Sequence, residues 1–383
     1  MRGTLGKGLN PVLDKVVQGL GFLPGTARSA MSSVYGQSKT LKQGIAFYSR
    51  HRRKPRVLYI VRRYPQQSQT YISSELRELW SAYNIRIATV AEAPDTDADA
   101  RAYTVAPDAS SLIKIARDFD PDFIHSHWMT AATLVGEVAS ATNTPFTIRS
   151  HSFDSIYFGD GPNHICSAME YLNSDLCRGV LGFPFVFRLL VDAGLNPEKF
   201  YRAPPVFDFW RFYDRRTNGI GVMNTGAAIK KKAMPEFIEL ATRVQDRPFH
   251  LYPVGGITPE LRELNMQRGS PVQIHEMLPH QEMPSAFKGQ QWLVYTASKE
   301  TRNIGWPLSI REAMASGVGV CLPRVRPDIV DYAEGAGFVY DSIGELTDLL
   351  RGDVPRQRRE MGFEIAQRDG IHRARSILTE LWN

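Results

Sequence analysis

Three groups of residues have the types and spacing for chemistry. The first is 300–317, reading Glu-Thr-Arg-Asn-Ile-Gly-Trp-Pro-Leu-Ser-Ile-Arg-Glu-Ala-Met-Ala-Ser-Gly. Gly305 permits an unusual turn, Pro307 brings the fixed φ of a first helical position, and 308–316 reads as a helix that Gly317 stops. A helix that opens at the carboxyl end of a parallel strand presents unpaired N–H groups and the positive end of its dipole, which suits a phosphate. Glu312 lies about one turn inside, too deep to cap those groups but able to accept hydrogen bonds from a diol such as ribose; an ordinary crossover with a solvated Glu is the alternative. The second group is Lys230-Lys231-Lys232, directly beyond an apolar strand, where a lysine run is either a solvated face or an anion site. The third is His151, just after the apolar 146–149, with Asp154 three residues on. Such a His either projects into a site or is tied to a strand end. His127 is a weaker candidate, and His125 is expected to point the other way.

These residues need strands and helices to hold them. Short apolar runs predict first-half strands at 57–61, 85–90, 123–125, 146–149 and 180–183, and 196–201 reads as the strand that closes the first half. Second-half strands are predicted at 221–225, 249–254, 272–275, 292–295, 318–322 and 337–340. Between them lie helical stretches such as 110–118 and 130–141, and Ile72, Leu76, Leu79, Trp80 and Tyr83 repeat at helical spacing. Strand and helix alternating in this way predict an α/β fold with parallel, doubly wound sheets. The polar, Asn/Gly-terminated 211–219 reads as an interdomain linker.

Glu312-Ala313-Met314-Ala315-Ser316-Gly317 resembles the donor-site signature of the retaining glycosyltransferases of family 4, which have the GT-B fold of two Rossmann-like domains facing a cleft. Residues 65–70, 124–127 and 146–154 resemble its first-domain pattern, with Ser68-Gln69-Thr70 where the family has Ser-Glu-Thr. The resemblance extends over most of 57–383. It implies an acceptor-side domain at 57–210, a nucleotide-sugar domain at 220–365 and a terminal helix, 366–383, crossing back to the first domain. It also implies transfer of a sugar from a nucleoside diphosphate sugar to a glycan or lipid-linked acceptor, with no metal or other cofactor. Lys232 falls on the family Lys that neutralises the donor pyrophosphate, and His151 on the His that contacts the transferred sugar; Asp154 joins them as the third catalytic candidate.

The implied donor-binding residues are Ser68, Arg302, Asn303, Gly305, Trp306, Leu308, Ser309 and Glu312, with Glu300 and His127 as further possibilities. Two positions depart from the family: Ala227 replaces an Arg, and Ile304 replaces the first Glu of a spaced pair. Arg302 is the expected substitute cation, with Lys230 and Lys231 behind it, and the sugar is expected to be held by fewer polar contacts. The same departures motivate two alternatives, a GT-B protein that binds glycan or nucleotide sugar without turnover and a GT-B epimerase or phosphorylase.

Composition narrows the classes. At 383 residues, 43% hydrophobic and 22% charged, the chain has the size and balance of two globular domains. Its three cysteines show no zinc-ligand spacing and fit a reducing compartment. No Gly-x-Ser-x-Gly elbow or P-loop occurs, and the loop after Val61 lacks the glycines of a nicotinamide site. No run approaches the roughly 20 apolar residues of a membrane span. The net charge of +6 is local: residues 1–56 carry eleven Lys/Arg against the single Asp14, and the remainder is net acidic. With the stripe Val12, Leu13, Val16, Val17 and Leu20, this extension predicts a peripheral protein on the cytoplasmic face of a membrane, bound through anionic headgroups, with packing on the protein's own surface or a solvated tail as the alternative; no nucleic-acid motif accompanies the charge.

Overall fold

The computed structural model describes residues 53–66, 69–93, 101–151, 154, 163–300 and 304–383. The amphipathic stripe of the N-terminal extension, Ser68, Arg302 and Asn303 lie outside the described residues.

Two parallel sheets carry the fold. The first holds β1 (Arg56–Val61), β2 (Asn84–Thr89), β3 (Tyr103–Val105), β4 (Phe123–His127), β5 (Phe146–Arg149), β6 (Cys177–Gly182) and β7 (Phe200–Arg202), in the order β3-β2-β1-β4-β5-β6-β7. The second holds β8 (Gly221–Ala227), β9 (Phe249–Val254), β10 (Val272–Ile274), β11 (Gln290–Val294), β12 (Gly319–Pro323) and β13 (Phe338–Tyr340), in the order β10-β9-β8-β11-β12-β13. Each order starts in the middle and reverses once, which makes both sheets doubly wound and puts a crevice at the carboxyl ends of their strands. Val57, Leu58, Tyr59, Ile60 and Val61 are all fully buried, because a central parallel strand is covered on both faces and therefore reads as a continuous apolar run.

Helices cover the sheets. Around the first are α1 (Thr70–Leu79), α2 (Ala109–Phe119) and α3 (Ala132–Thr142). Asp108 caps α2 by accepting from Ser111 N at 2.8 Å. The short α4 (Phe209–Phe212) leads to the second domain, where α5 (Met234–Arg243), α6 (Leu308–Ala315), α7 (Pro327–Ala333) and α8 (Arg356–Arg368) are followed by α9 (Ile371–Trp382). The passage between domains is more apolar than the polar 211–219 suggests. Phe207, Phe209 and Phe212 are buried with Met223, Leu293 and Ile310 of the second domain.

The strand predictions match within a few residues, apart from β3. That strand is a three-residue edge whose Tyr103 and Val105 are exposed, so it lacks the apolar run that marks the others. Pro307 stands one position earlier than expected, before the first helical residue of α6. Gly317 does end that helix. It has φ 71, a left-handed conformation that costs a glycine little, and Val318 N then donates back to Ala313 O at 2.9 Å.

After α8 the chain turns at Asp369-Gly370, and α9 packs on the first sheet. Ile377, Leu378, Leu381 and Trp382 are buried beside Val57, Tyr59 and Leu181, and Trp382 Nε1 donates to Thr147 Oγ1 at 3.0 Å. No helix among the described residues is long and apolar enough to cross a membrane. Removing a buried Trp leaves a large cavity, so Trp382→Ala should lower stability by about 3–5 kcal/mol in urea unfolding, with Trp382→Phe losing less. A loss under about 1 kcal/mol would show that the end of α9 contributes little to the first domain.

Candidate functional site

A cavity of about 680 Å³ opens between the carboxyl ends of the two sheets. On the second-domain side, β8 delivers Gly226 and Ala227, and a tight turn places Lys230–Lys232. The loop after β9 approaches so closely that a Cβ on Gly256 would stand 1.8 Å from Ala228 O, so only glycine fits there. Lys231 and Lys232 both line the cavity. Thr296 Oγ1 donates to Lys232 O at 2.6 Å, which pins the turn to the end of β11. The Lys232 ammonium lies 4.3 Å from the centre of the Tyr295 ring and donates to its hydroxyl. Burial brings its pKa down to about 7, with Lys231 adding a smaller push in the same direction.

Opposite the lysine turn, α6 begins. Its first turn contains no acidic side chain, so the positive end of the helix is not neutralised locally. Gly305, Trp306, Leu308, Ser309 and Glu312 all line the cavity. Burial raises the Glu312 carboxyl to about 7, opposed by Arg211. The Trp306 indole is committed elsewhere: Nε1 donates to Asp328 Oδ2 at 2.9 Å, and the ring stacks 4.5 Å from Tyr332 and 5.3 Å from Phe183 of the first domain. It is a wall at the domain junction. Ile304 is buried in the second-domain core, and Glu300 is exposed and does not line the cavity.

The first-domain wall rests on residues that the sequence reading missed. Glu75 of α1 is 1% exposed and sits beneath the cavity. Its Oε1 accepts from Tyr59 at 3.1 Å and from His127 Nε2 at 2.9 Å, and lies 3.2 Å from His125 Nε2. Its Oε2 accepts from Arg149 Nη2 at 3.2 Å. Burial alone would raise this carboxyl, but Arg149, His127 and His125 hold it well below the usual carboxylate range. His125 and His127 therefore share one face of β4, contrary to the expectation that they diverge. Two residues apart on a strand is the spacing that puts side chains on the same side.

His151 lines the cavity, with Tyr71 at 4.3 Å and Trp128 at 4.6 Å between ring centres, and its Nε2 meets His127 Nδ1 at 2.9 Å. Burial holds its pKa well below the ordinary histidine value. Asp154 has a different place from the one expected. Its Oδ2 accepts from Met129 N at 2.6 Å, while Oδ1 accepts from His151 N at 2.9 Å and Ser150 Oγ at 3.2 Å. It is fully buried and latches the loops after β4 and β5 together, which places His151 without Asp154 itself lining the cavity.

Ligand atoms of Glu75, His125 and His127 lie within 4.8 Å of one another, a spacing that a metal ion could use. The Arg149 guanidinium on the same carboxylate opposes a cation there, and the His127 Nε2 hydrogen is already given to Glu75. Faint signals of this network existed in the sequence: Glu75 interrupts the apolar stripe of α1, and Arg149 ends an apolar strand.

No family model matches the chain, and no curated protein matches it in sequence. Solved structures do match in shape. HepE of Anabaena, in complex with UDP-glucose, shares 13% identity over 85% of this chain and 98% of its own, with a TM-score of 0.69. The lipopolysaccharide outer core galactosyltransferase WaaB shares 13% over 82% and 95%, with a TM-score of 0.57. Sucrose-phosphate synthase of Thermosynechococcus elongatus shares 12% over 82% and 94%, with a TM-score of 0.58. The fold is GT-B.

A diphosphate bound near Lys232 would restore the ammonium charge that burial disfavours, so binding takes up a proton. Affinity for a nucleoside diphosphate should therefore fall as pH rises above about 7, by up to about tenfold per unit, until the lysine of the complex itself deprotonates. Lys232→Ala should weaken nucleoside diphosphate binding by about 10–100-fold at neutral pH and flatten this profile in calorimetry. Unchanged affinity would remove Lys232 from the site.

Proposed function

We propose that the chain is a retaining glycosyltransferase that takes a hexose from a nucleoside diphosphate sugar and gives it to a glycan or lipid-linked acceptor, in cell-surface polysaccharide or glycolipid synthesis. The observation that carries this reading is one cavity with Lys232, the uncapped start of α6 and Glu312 on one wall and His151 on the other. The first group suits a diphosphate and a ribose. His151 then faces the sugar. Glycosyltransferases among the structural neighbours, HepE with UDP-glucose included, support a nucleotide sugar as the ligand.

In this reading the diphosphate leaves from the face the acceptor approaches, and the protein contributes position and charge. Lys232 and the N–H groups at the start of α6 stabilise the charge that grows on the leaving diphosphate, so no metal is required. Glu312 accepts from the ribose hydroxyls. With Ile304 in the core and Ala227 in place of a cation, the sugar has fewer polar holds, which favours as second reading a protein that binds nucleotide sugar without turnover.

Incubation with a panel of nucleotide sugars and glycan or simple alcohol acceptors should release nucleoside diphosphate from at least one donor, and NMR of the glycoside formed on the acceptor should show the anomeric configuration of the donor. Binding without release supports the second reading, and an inverted product overturns retention. Through its basic 1–56 the protein would act at the cytoplasmic face of a membrane. Full-length protein should bind anionic vesicles in a salt-sensitive way, and deletion of 1–55 should abolish it, since basic residues near such a surface contribute about 1 kcal/mol each. Vesicle binding that survives the deletion would free the extension of this role.

A further inference from the structure

The hydrogen bonds beneath the cavity have a direction, and that direction sets the chemistry of His151. Two groups at the ends of these paths act in one sense only. An ionised carboxylate accepts, and an indole N–H donates. Glu75 is the carboxylate: the Arg149 guanidinium and the hydrogen bond from His127 hold it ionised against its burial. Trp382 is the indole, and its Nε1 donates to Thr147 Oγ1 at 3.0 Å.

From Trp382 the polarity runs inward. Thr147 Oγ1, having accepted from the indole, lies 2.8 Å from His125 Nδ1 and can donate its own hydrogen there. His125 Nε2 stands 3.2 Å from Glu75 Oε1 without hydrogen-bond geometry, so this branch does not set the direction of the path to His151. From Glu75 the polarity runs outward. Oε1 can only accept, so His127 Nε2, at 2.9 Å, must carry a hydrogen. Burial holds His127 below the ordinary histidine pKa, so the ring is neutral and its Nδ1 is bare. His151 Nε2, at 2.9 Å from that bare nitrogen, must then be the donor. His151 is also held neutral by burial, so its own Nδ1 keeps a lone pair.

We propose that Glu75, acting through His127, is a positioning residue that holds His151 as its Nε2–H tautomer, so that His151 Nδ1 accepts a hydrogen bond from a hydroxyl of the sugar in the cavity. The proposal rests on the transferase reading for the sugar, but not for the tautomer. It differs from a simple proximity of His151 to a ligand, because the reversed tautomer would present an N–H and select an acceptor atom on the ligand instead. The surrounding charged and titratable groups are consistent with one form. Arg149 faces the same carboxylate and disfavours a second positive charge, His125 Nε2 stands 3.2 Å from the same Oε1 that His127 meets, and Tyr59 donates to Oε1. Asp154 accepts from the His151 backbone N–H, which fixes the loop but not the ring.

Nitrogen-detected NMR of full-length protein with ¹⁵N-labelled histidine reads this directly at neutral pH, with His151→Gln and His127→Phe identifying the two rings by loss of signal. Both rings should show a pyrrole-type Nε2 bearing hydrogen and a pyridine-type Nδ1. A hydrogen on Nδ1 of either ring, or an imidazolium, overturns the relay. In His127→Phe the His151 nitrogens should move toward averaged, mixed-tautomer positions, and an unchanged His151 pattern overturns the role of His127.

The hydroxyl contact has its own readout. An Asn side chain places a polar atom near the position of Nδ1, and Gln near Nε2. His151→Asn should therefore keep turnover about tenfold above His151→Gln, the value of one hydrogen bond, with similar affinity for UDP. Equal losses in the two variants overturn the contact at Nδ1. The spectra require no turnover: a protein that releases nucleotide from no donor overturns the transferase reading, while the tautomer stands or falls on the spectra alone.

Discussion

A carboxylate buried without water must be met by several donors at once, and Glu75 imposes that requirement on the first domain. Tyr59 from β1, His125 and His127 from β4 and Arg149 from β5 all turn toward it. Removing two charges from water costs several kcal/mol each, and only good geometry with every lone pair occupied offsets it. The strands that supply those donors are adjacent in the sheet, in the order β1-β4-β5, so their register is what satisfies the carboxylate. One consequence is that the wall of the cavity is stiff where His151 meets it.

The second domain has a corresponding buried charge on the helix that lines its side of the cavity. Arg311 of α6 is fully buried and reaches Asp369 Oδ2 and Glu334 Oε1, each at 2.9 Å, with its guanidinium 3.9 Å from the centre of the Tyr332 ring. Glu312, the next residue, faces the cavity. Successive residues of a helix point about 100° apart, so one position can anchor the helix from behind while its neighbour lines the cavity. Asp369 stands at the turn between α8 and α9, and α9 ends with Trp382 on Thr147. A continuous set of contacts thus runs from the second-domain wall of the cavity, through the turn at Asp369, to the strand beside Glu75.

The strands and most helices were readable because burial on both faces writes a parallel strand as an unbroken apolar run, and burial on one face writes a helix as a stripe. β3 was not readable, since an exposed edge needs no such run. Among the candidate site residues, Lys232 and His151 stood out because each follows an apolar strand at its carboxyl end, and Glu312 because it lies one turn inside a helix that opens there. Asp154 was legible as a neighbour of His151 but not in its role, which depends on Met129 N from another loop. Glu75 and Arg149 were passed over because each is a single charge within an apolar pattern, and nothing in either segment shows the other.

The sequence by itself determined the alternation of strand and helix, hence two doubly wound sheets, and it determined which loops open at their carboxyl ends. Those are local properties: periodicity, β-branching, a glycine or proline at a boundary. Only the tertiary structure decided what the polar side chains do. Whether a histidine gives or takes a hydrogen depends on the group across from it, and that group lies 52 residues away for His127 and Glu75 and 235 away for Thr147 and Trp382. Burial also decides charge, since it brings Lys232 and Glu312 each to about 7, a value that neither residue's type announces.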